Sequence, residues 1–272
     1  MIETIIEMMQ YNFILRALLV GTLVSLCAAL LGVSLVLKRY AMIGDGLSHV
    51  GFGVLAIAVA AGWSPLYVSI PIVIIAAIIL LKIGNNSKVQ SDSAIGIIAS
   101  SSLAIGVAVT SATTGMNTDV WNYMFGSILA MSKSDVILSI VVSVIVGILF
   151  IIYYRKLFAV TFDEKFARAS GLNVTRYTNL IAVLTAVIIV VGMRMMGTML
   201  ISSIIIFPAI TSMRLFKTFK KVVISSAVIS IVSFFIGIYF SYIYNISTGA
   251  MIVIVNLVLF VVFTLIDKIV YE

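Results

Sequence analysis

Charge is what this chain has least of. Only 10% of its residues are charged and 62% are hydrophobic, whereas a soluble domain carries roughly 25% charged residues. That balance excludes a soluble globular domain and implies an integral membrane protein with no sizeable soluble part. Strand-length alternation is scarce and apolar runs are long, which excludes a membrane β-barrel in favour of helices. There is one cysteine, Cys27, so neither a disulfide framework nor a cysteine cluster for zinc or iron–sulfur is available. No Walker A sequence, glycine-rich phosphate loop or HExxH occurs; if ATP is used, another subunit binds it. Met1 to Gln10 holds two acids and no base, the wrong charge for the start of a cleavable signal peptide. The net charge of +7 is no nucleic-acid signal, because the bases lie in short gaps between apolar runs, where they set membrane orientation.

Those runs predict an all-α polytopic protein of about eight or nine spans, a single transmembrane unit over residues 1–272. Residues 1–12 read as a short interfacial lead-in. Spans follow at about Phe13–Leu37, Ile43–Gly62, Leu66–Leu81, Ser93–Thr113, Val136–Tyr154, Tyr177–Val191, Thr198–Met213, Val222–Tyr244 and Thr248–Ile266. The sixth and seventh are separated only by Arg194 and Gly197 and can be one broken element. Between the fourth and fifth, the apolar piece Val120–Met131 is too short to span, and Trp121, Tyr123 and Phe125 read as an interfacial belt. Residues 155–176 form the longest polar stretch. With that stretch inside, fourteen of the seventeen bases fall on the inner side, which places the N-terminus outside and the C-terminus inside.

Chemistry concentrates in Gly44-Asp45-Gly46-Leu47-Ser48-His49. His49 is the only histidine. Asp45 lies four residues earlier, so on a helix both side chains share one face, one turn apart. A carboxylate and an imidazole at that spacing can share a divalent cation, and ionisable groups at membrane depth mark functional sites. Of the ten acids, Asp45 alone falls within a span; the others sit in loops, at helix starts or near chain ends. The competing reading makes Asp45 a helix cap paired with Arg39 or Lys38, and His49 a hydrogen-bonded core histidine. Gly53, Ala56 and Ala60 continue the face of His49 as a smooth strip, which suggests a permeation path. Two ligands are too few for zinc, which takes about four; water, carbonyls or a second copy of the chain must complete the set. Neutral imidazole with carboxylate suits zinc or manganese better than magnesium.

Other residues invite chemistry less directly. Met193, Met195, Met196 and Met199 either bind Cu(I) through thioethers or fill gaps in a broken helix. Arg194 reads as an outer interfacial residue or an interhelical partner, and Asn256 as interhelical hydrogen-bonding glue. Phe162 to Ser170 can form a short helix closed by Gly171, with Asp163 and Glu164 early and Arg168 late, as a helix dipole favours. It is either a solvated interface helix or a docking helix for a partner.

Four stretches together carry a family resemblance: RYAMIGDGLSHVGFGVLAIA at 39–58, SDSAIGIIASSSLAIGV at 91–107, NYMFGSILAMSKSD at 122–135 and MGTMLISSIIIFPAITSMRL at 196–215. With FDEKFARASGL at 162–172, they make the chain resemble the membrane permease subunit of ABC importers for zinc and manganese in the bacterial cytoplasmic membrane. The resemblance implies a homodimer around one pathway, an extracellular metal-binding protein that delivers the ion, and two cytoplasmic ATPase subunits. Such a permease is not itself an enzyme and holds no tightly bound cofactor. The resemblance maps the intramembrane metal residues to Asp45 and His49. It maps the ATPase-coupling helix to Asp163 through Gly171, with Glu164 inside it and Ala167 and Gly171 at matching positions. Gly-Asp-Gly-Leu-x-His is closer to the zinc branch than to the manganese branch, where alanine often follows the aspartate. The expected cargo is therefore Zn2+. The alternatives are Mn2+ or Fe2+ in the same architecture, or an ion-gradient-driven secondary metal carrier.

Overall fold

The computed structural model describes residues 10–86, 91–113 and 133–271. The belt residues Trp121, Tyr123 and Phe125, the Val120–Met131 piece and nearly all of the lead-in lie outside them. No strand occurs among the described residues. Ten helices do: α1 Asn12–Leu37, α2 Ala41–Ala60, α3 Pro65–Asn86, α4 Ser91–Ala112, α5 Lys133–Phe162, α6 Glu164–Ala169, α7 Val174–Met196, α8 Thr198–Leu215, α9 Phe219–Tyr244 and α10 Thr248–Tyr271. All but α6 are long and apolar enough to cross a membrane, so the described residues hold nine candidate spans.

Helices α1, α2, α7 and α8 form the centre, and most of α4, α5 and α10 faces outward. Glycine lets the central backbones approach. A Cβ at Gly32 of α1 would come 2.0 Å from the Ile205 carbonyl oxygen of α8, and one at Gly53 of α2 would come 2.6 Å from that of Ser102 in α4. Small residues make such seams in membranes, where packing has to replace the hydrophobic effect between helices.

The junctions are set by local chemistry. Arg39 takes a φ of 63° at the elbow between α1 and α2. The sixth and seventh spans are two helices, because Gly197 between them adopts φ 84° and ψ 161°, a conformation essentially reserved for glycine. Several spans outrun the expected limits: α3 continues past Leu81 to Asn86, α7 past Val191 to Met196 and α10 past Ile266 to Tyr271, and α5 differs most. α5 does not stop near Tyr154 but runs to Phe162, because Leu157, Val160 and Thr161 continue its buried stripe at helical spacing. The exposed Arg155 and Lys156 ride on its outer side.

Candidate metal centre and coupling helix

α2 is buried almost all round. From Met42 to Gly53 only Met42, Asp45 and His49 keep appreciable exposure. Over residues 42–53, Asp45 and His49 therefore occupy the open face of the helix, with side chains 42% and 23% exposed, and His49 Nε2 stands 3.6 Å from Asp45 Oδ2. That is too long for a hydrogen bond and leaves room for an ion bridging the two. His49 Nδ1 is buried with no hydrogen-bond partner, so the imidazole is not a satisfied core histidine. Nor is Asp45 a cap. Tyr40 holds the N-cap position of α2, and Lys38 pairs instead with Glu164. Among the described residues no third His, Cys, Asp or Glu joins the pair.

The back of this site is held by hydroxyls. Ser48 Oγ donates to the Asp45 carbonyl oxygen at 2.7 Å and lies 3.3 Å from Ser202 Oγ of α8. The strip beyond His49 is closed where it begins: Gly53 and Ala56 are buried and only Ala60 is exposed, and Gly53 lies against the Ser102 backbone of α4. Small residues here serve helix contact. The methionines divide similarly. Met193, Met195 and Met196 are core residues and Met199 is half exposed; Met193 Cε lies where a Cβ on Gly51 would meet it at 2.7 Å. That is packing, not a thioether cluster. Asn256 donates through Nδ2 to the Ile252 carbonyl of its own helix at 3.0 Å, so its amide is not the interhelical link expected.

Asp135 is a second acid inside a span, in the first turn of α5. It is 8% exposed and pairs with Arg194 NH2 of α7 at 3.0 Å. Arg194 is thus an interhelical partner. The signal in the sequence was a lone acid and a lone base, each at the edge of an apolar run.

α6 forms largely as its residues dictate. Asp163 is the N-cap, accepting from Phe166 N at 2.9 Å. At the other end Gly171, at φ 82°, donates to the Arg168 carbonyl while Leu172 donates to that of Ala167 at 3.0 Å. This pair of bonds is a Schellman closure. Ala167 is fully buried against Val160 and Val174, which fixes α6 on α5 and α7. Two residues escaped notice in the sequence: Phe162 and Phe166 are 71% and 67% exposed. A shallow groove on the same helix is lined by Glu164, Lys165, Arg168 and Ala169.

With this geometry in hand, a comparison with known families is decisive. The model of the ABC 3 transport family matches residues 10–267. The chain belongs to that family. It is 30% identical over 93% of its length to the manganese transport system membrane protein MntC of Halalkalibacterium halodurans, covering 87% of that protein. Identity is also 30% over 93% of the chain to the high-affinity zinc uptake system membrane protein ZnuB of Haemophilus influenzae, of which 97% is covered. Among solved structures, PsaBC from Streptococcus pneumoniae in complex with Fab superposes with a TM-score of 0.87 at 30% identity, covering 97% of this chain and 95% of that one. This ABC 3 member is accordingly a multi-pass permease subunit of a metal importer in the bacterial plasma membrane.

Proposed function

We propose that this permease moves Zn2+ inward, with Asp45 and His49 as its intramembrane ligands. The observation that carries the reading is a histidine whose buried Nδ1 has no partner among the described residues, set one turn from a carboxylate on an open face of α2. Two ligands from one chain fall short of the roughly four that zinc takes, and a homodimer supplies a second pair across a shared pathway. Incomplete coordination by each copy also lets the ion leave, as transport requires. Zinc is favoured over manganese by imidazole as donor and by Gly46. A Cβ at that position would come 2.6 Å from Ile95 Cγ2, so the alanine common in the manganese branch requires Ile95 to move.

The base distribution puts α6 on the cytoplasmic side, the N-terminus outside and the C-terminus inside. α6 is then the docking element for an ATPase subunit, through Asp163 to Gly171. Phe162 and Phe166 are anchors of the kind that dominate interface energetics. Two such ATPase subunits hydrolyse the ATP, and an extracellular metal-binding protein loads the pathway. Mn2+ is the second reading, because relatives at equal identity are named for manganese and for zinc. The deciding experiment supplies Zn2+ and Mn2+ separately to a strain lacking this chain. Growth rescued by the chain under zinc limitation supports the proposal; rescue under manganese limitation alone selects the second reading.

A further inference from the structure

Lys38 closes α1, one residue before the Arg39 elbow, and its side chain is only 4% exposed. A buried ammonium is costly unless its donors are matched. Lys38 meets that cost with an ion pair to Glu164 in the first turn of α6 and a hydrogen bond to Thr178 Oγ1 of α7 at 3.1 Å. Its Nζ also lies 6.0 Å from the ring centroid of Tyr40, the N-cap of α2, five residues before Asp45. α6 packs on α5 and α7, and Lys38 adds a polar tie from α6 to the elbow where the metal-bearing helix begins.

We propose that Lys38 is a positioning residue that carries displacements of α6 into α2 and so couples nucleotide hydrolysis to the Asp45–His49 pair. The inference rests on the reading of α6 as the ATPase-docking helix. Three features support it. α6 is capped at both ends, so it moves as one piece. Separating Glu164 from a buried ammonium leaves that charge uncompensated, so Lys38 follows Glu164 instead of releasing it. The elbow is short and turns through a positive φ at Arg39, so a shift at Lys38 reaches Tyr40 and the first turn of α2 within two residues.

The test uses the full complex of permease, ATPase and metal-delivery protein in proteoliposomes, with ATP hydrolysis and zinc uptake measured on the same vesicles. Lys38→Met should keep hydrolysing ATP while moving about tenfold fewer ions per ATP, a typical size for coupling between distant sites. Zinc binding to that variant permease alone in nanodiscs should match wild type. Glu164→Lys should show the same loss, and the exchange Lys38→Glu with Glu164→Lys should recover about half the wild-type ratio or more, as a direct pair demands. A wild-type ratio in Lys38→Met overturns the proposal. So does a joint loss of hydrolysis and uptake that the exchange leaves unrepaired, which marks Lys38 as a folding residue only. Metal-stimulated hydrolysis that survives unchanged in Ala167→Pro, which breaks α6 itself, instead overturns the docking reading of α6.

Discussion

Arg194 and Asp135 meet at 3.0 Å, joining the end of α7 to the beginning of α5 across apolar surroundings. Removing one partner of a buried pair costs about 3–5 kcal/mol, because the other charge stays behind. Here the Arg194 side chain is 22% exposed, so solvent reduces the loss, and Arg194→Met should destabilise the permease by about 2 kcal/mol. The double variant Arg194→Met with Asp135→Asn should be more stable than Arg194→Met alone. Thermal unfolding of the detergent-solubilised protein measures both.

Asp45→Ala and His49→Ala should each lower metal uptake by about a hundredfold or more, since even losing an outer partner of a ligand costs roughly 10–100-fold. Both side chains sit on the open face of α2, so neither substitution opens a core cavity and membrane insertion should persist. Metal accumulation and protein abundance in membranes, measured together, check this. Wild-type accumulation by either well-expressed variant refutes the ligand assignment.

Ala167→Pro tests the docking helix. The Ala167 N–H donates to the Asp163 carbonyl at 2.9 Å and its side chain is fully buried. Proline removes the donor and clashes with the preceding turn, at about 3 kcal/mol. The expected result is a correctly inserted permease whose partner ATPase no longer responds to it. Metal-stimulated hydrolysis that survives unchanged in the reconstituted complex speaks against docking through α6.

Gly53→Val tests the α2–α4 seam. Its Cβ would fall 2.6 Å from the Ser102 backbone oxygen, and backbone cannot swing aside as a side chain can. A loss of about 1–3 kcal/mol is expected from the overpacking. Gly96→Ala is the control on α4, since a Cβ there meets nothing within 4 Å; it should be neutral or slightly stabilising in a helix. Thermal stability of the two variants, compared side by side, gives the contrast.

The fold was largely legible because lipid imposes one strong rule. Long apolar runs must be helices, and charged or turn-forming residues interrupt them, so the nine spans surfaced as runs between such breaks. The rule failed where a helix outlives its apolar stretch: Arg155 and Lys156 looked like a terminus, yet Leu157 and Val160 keep α5 going. Asp45 and His49 were visible because a four-residue spacing is local. Lys38 with Glu164 and Asp135 with Arg194 were not, since residues over a hundred and about sixty positions apart meet only through tertiary packing. The small strip after His49 misled for a related reason. Composition says that something comes close to such a face, and only the fold says that it is α4.

The 30 residues of α5 extend for about 45 Å at roughly 1.5 Å per residue, whereas the hydrocarbon layer is about 30 Å thick. Even allowing for an ordinary tilt of about 20°, a turn or more of helix stands clear of the acyl chains, and α6 is mounted at its tip. Bilayer thickness therefore sets how far α6 projects. In lipids with longer acyl chains Arg155 and Lys156 are drawn toward the headgroups and the projection shrinks. Transport by this permease should consequently depend on acyl-chain length, independently of any change in Asp45 or His49.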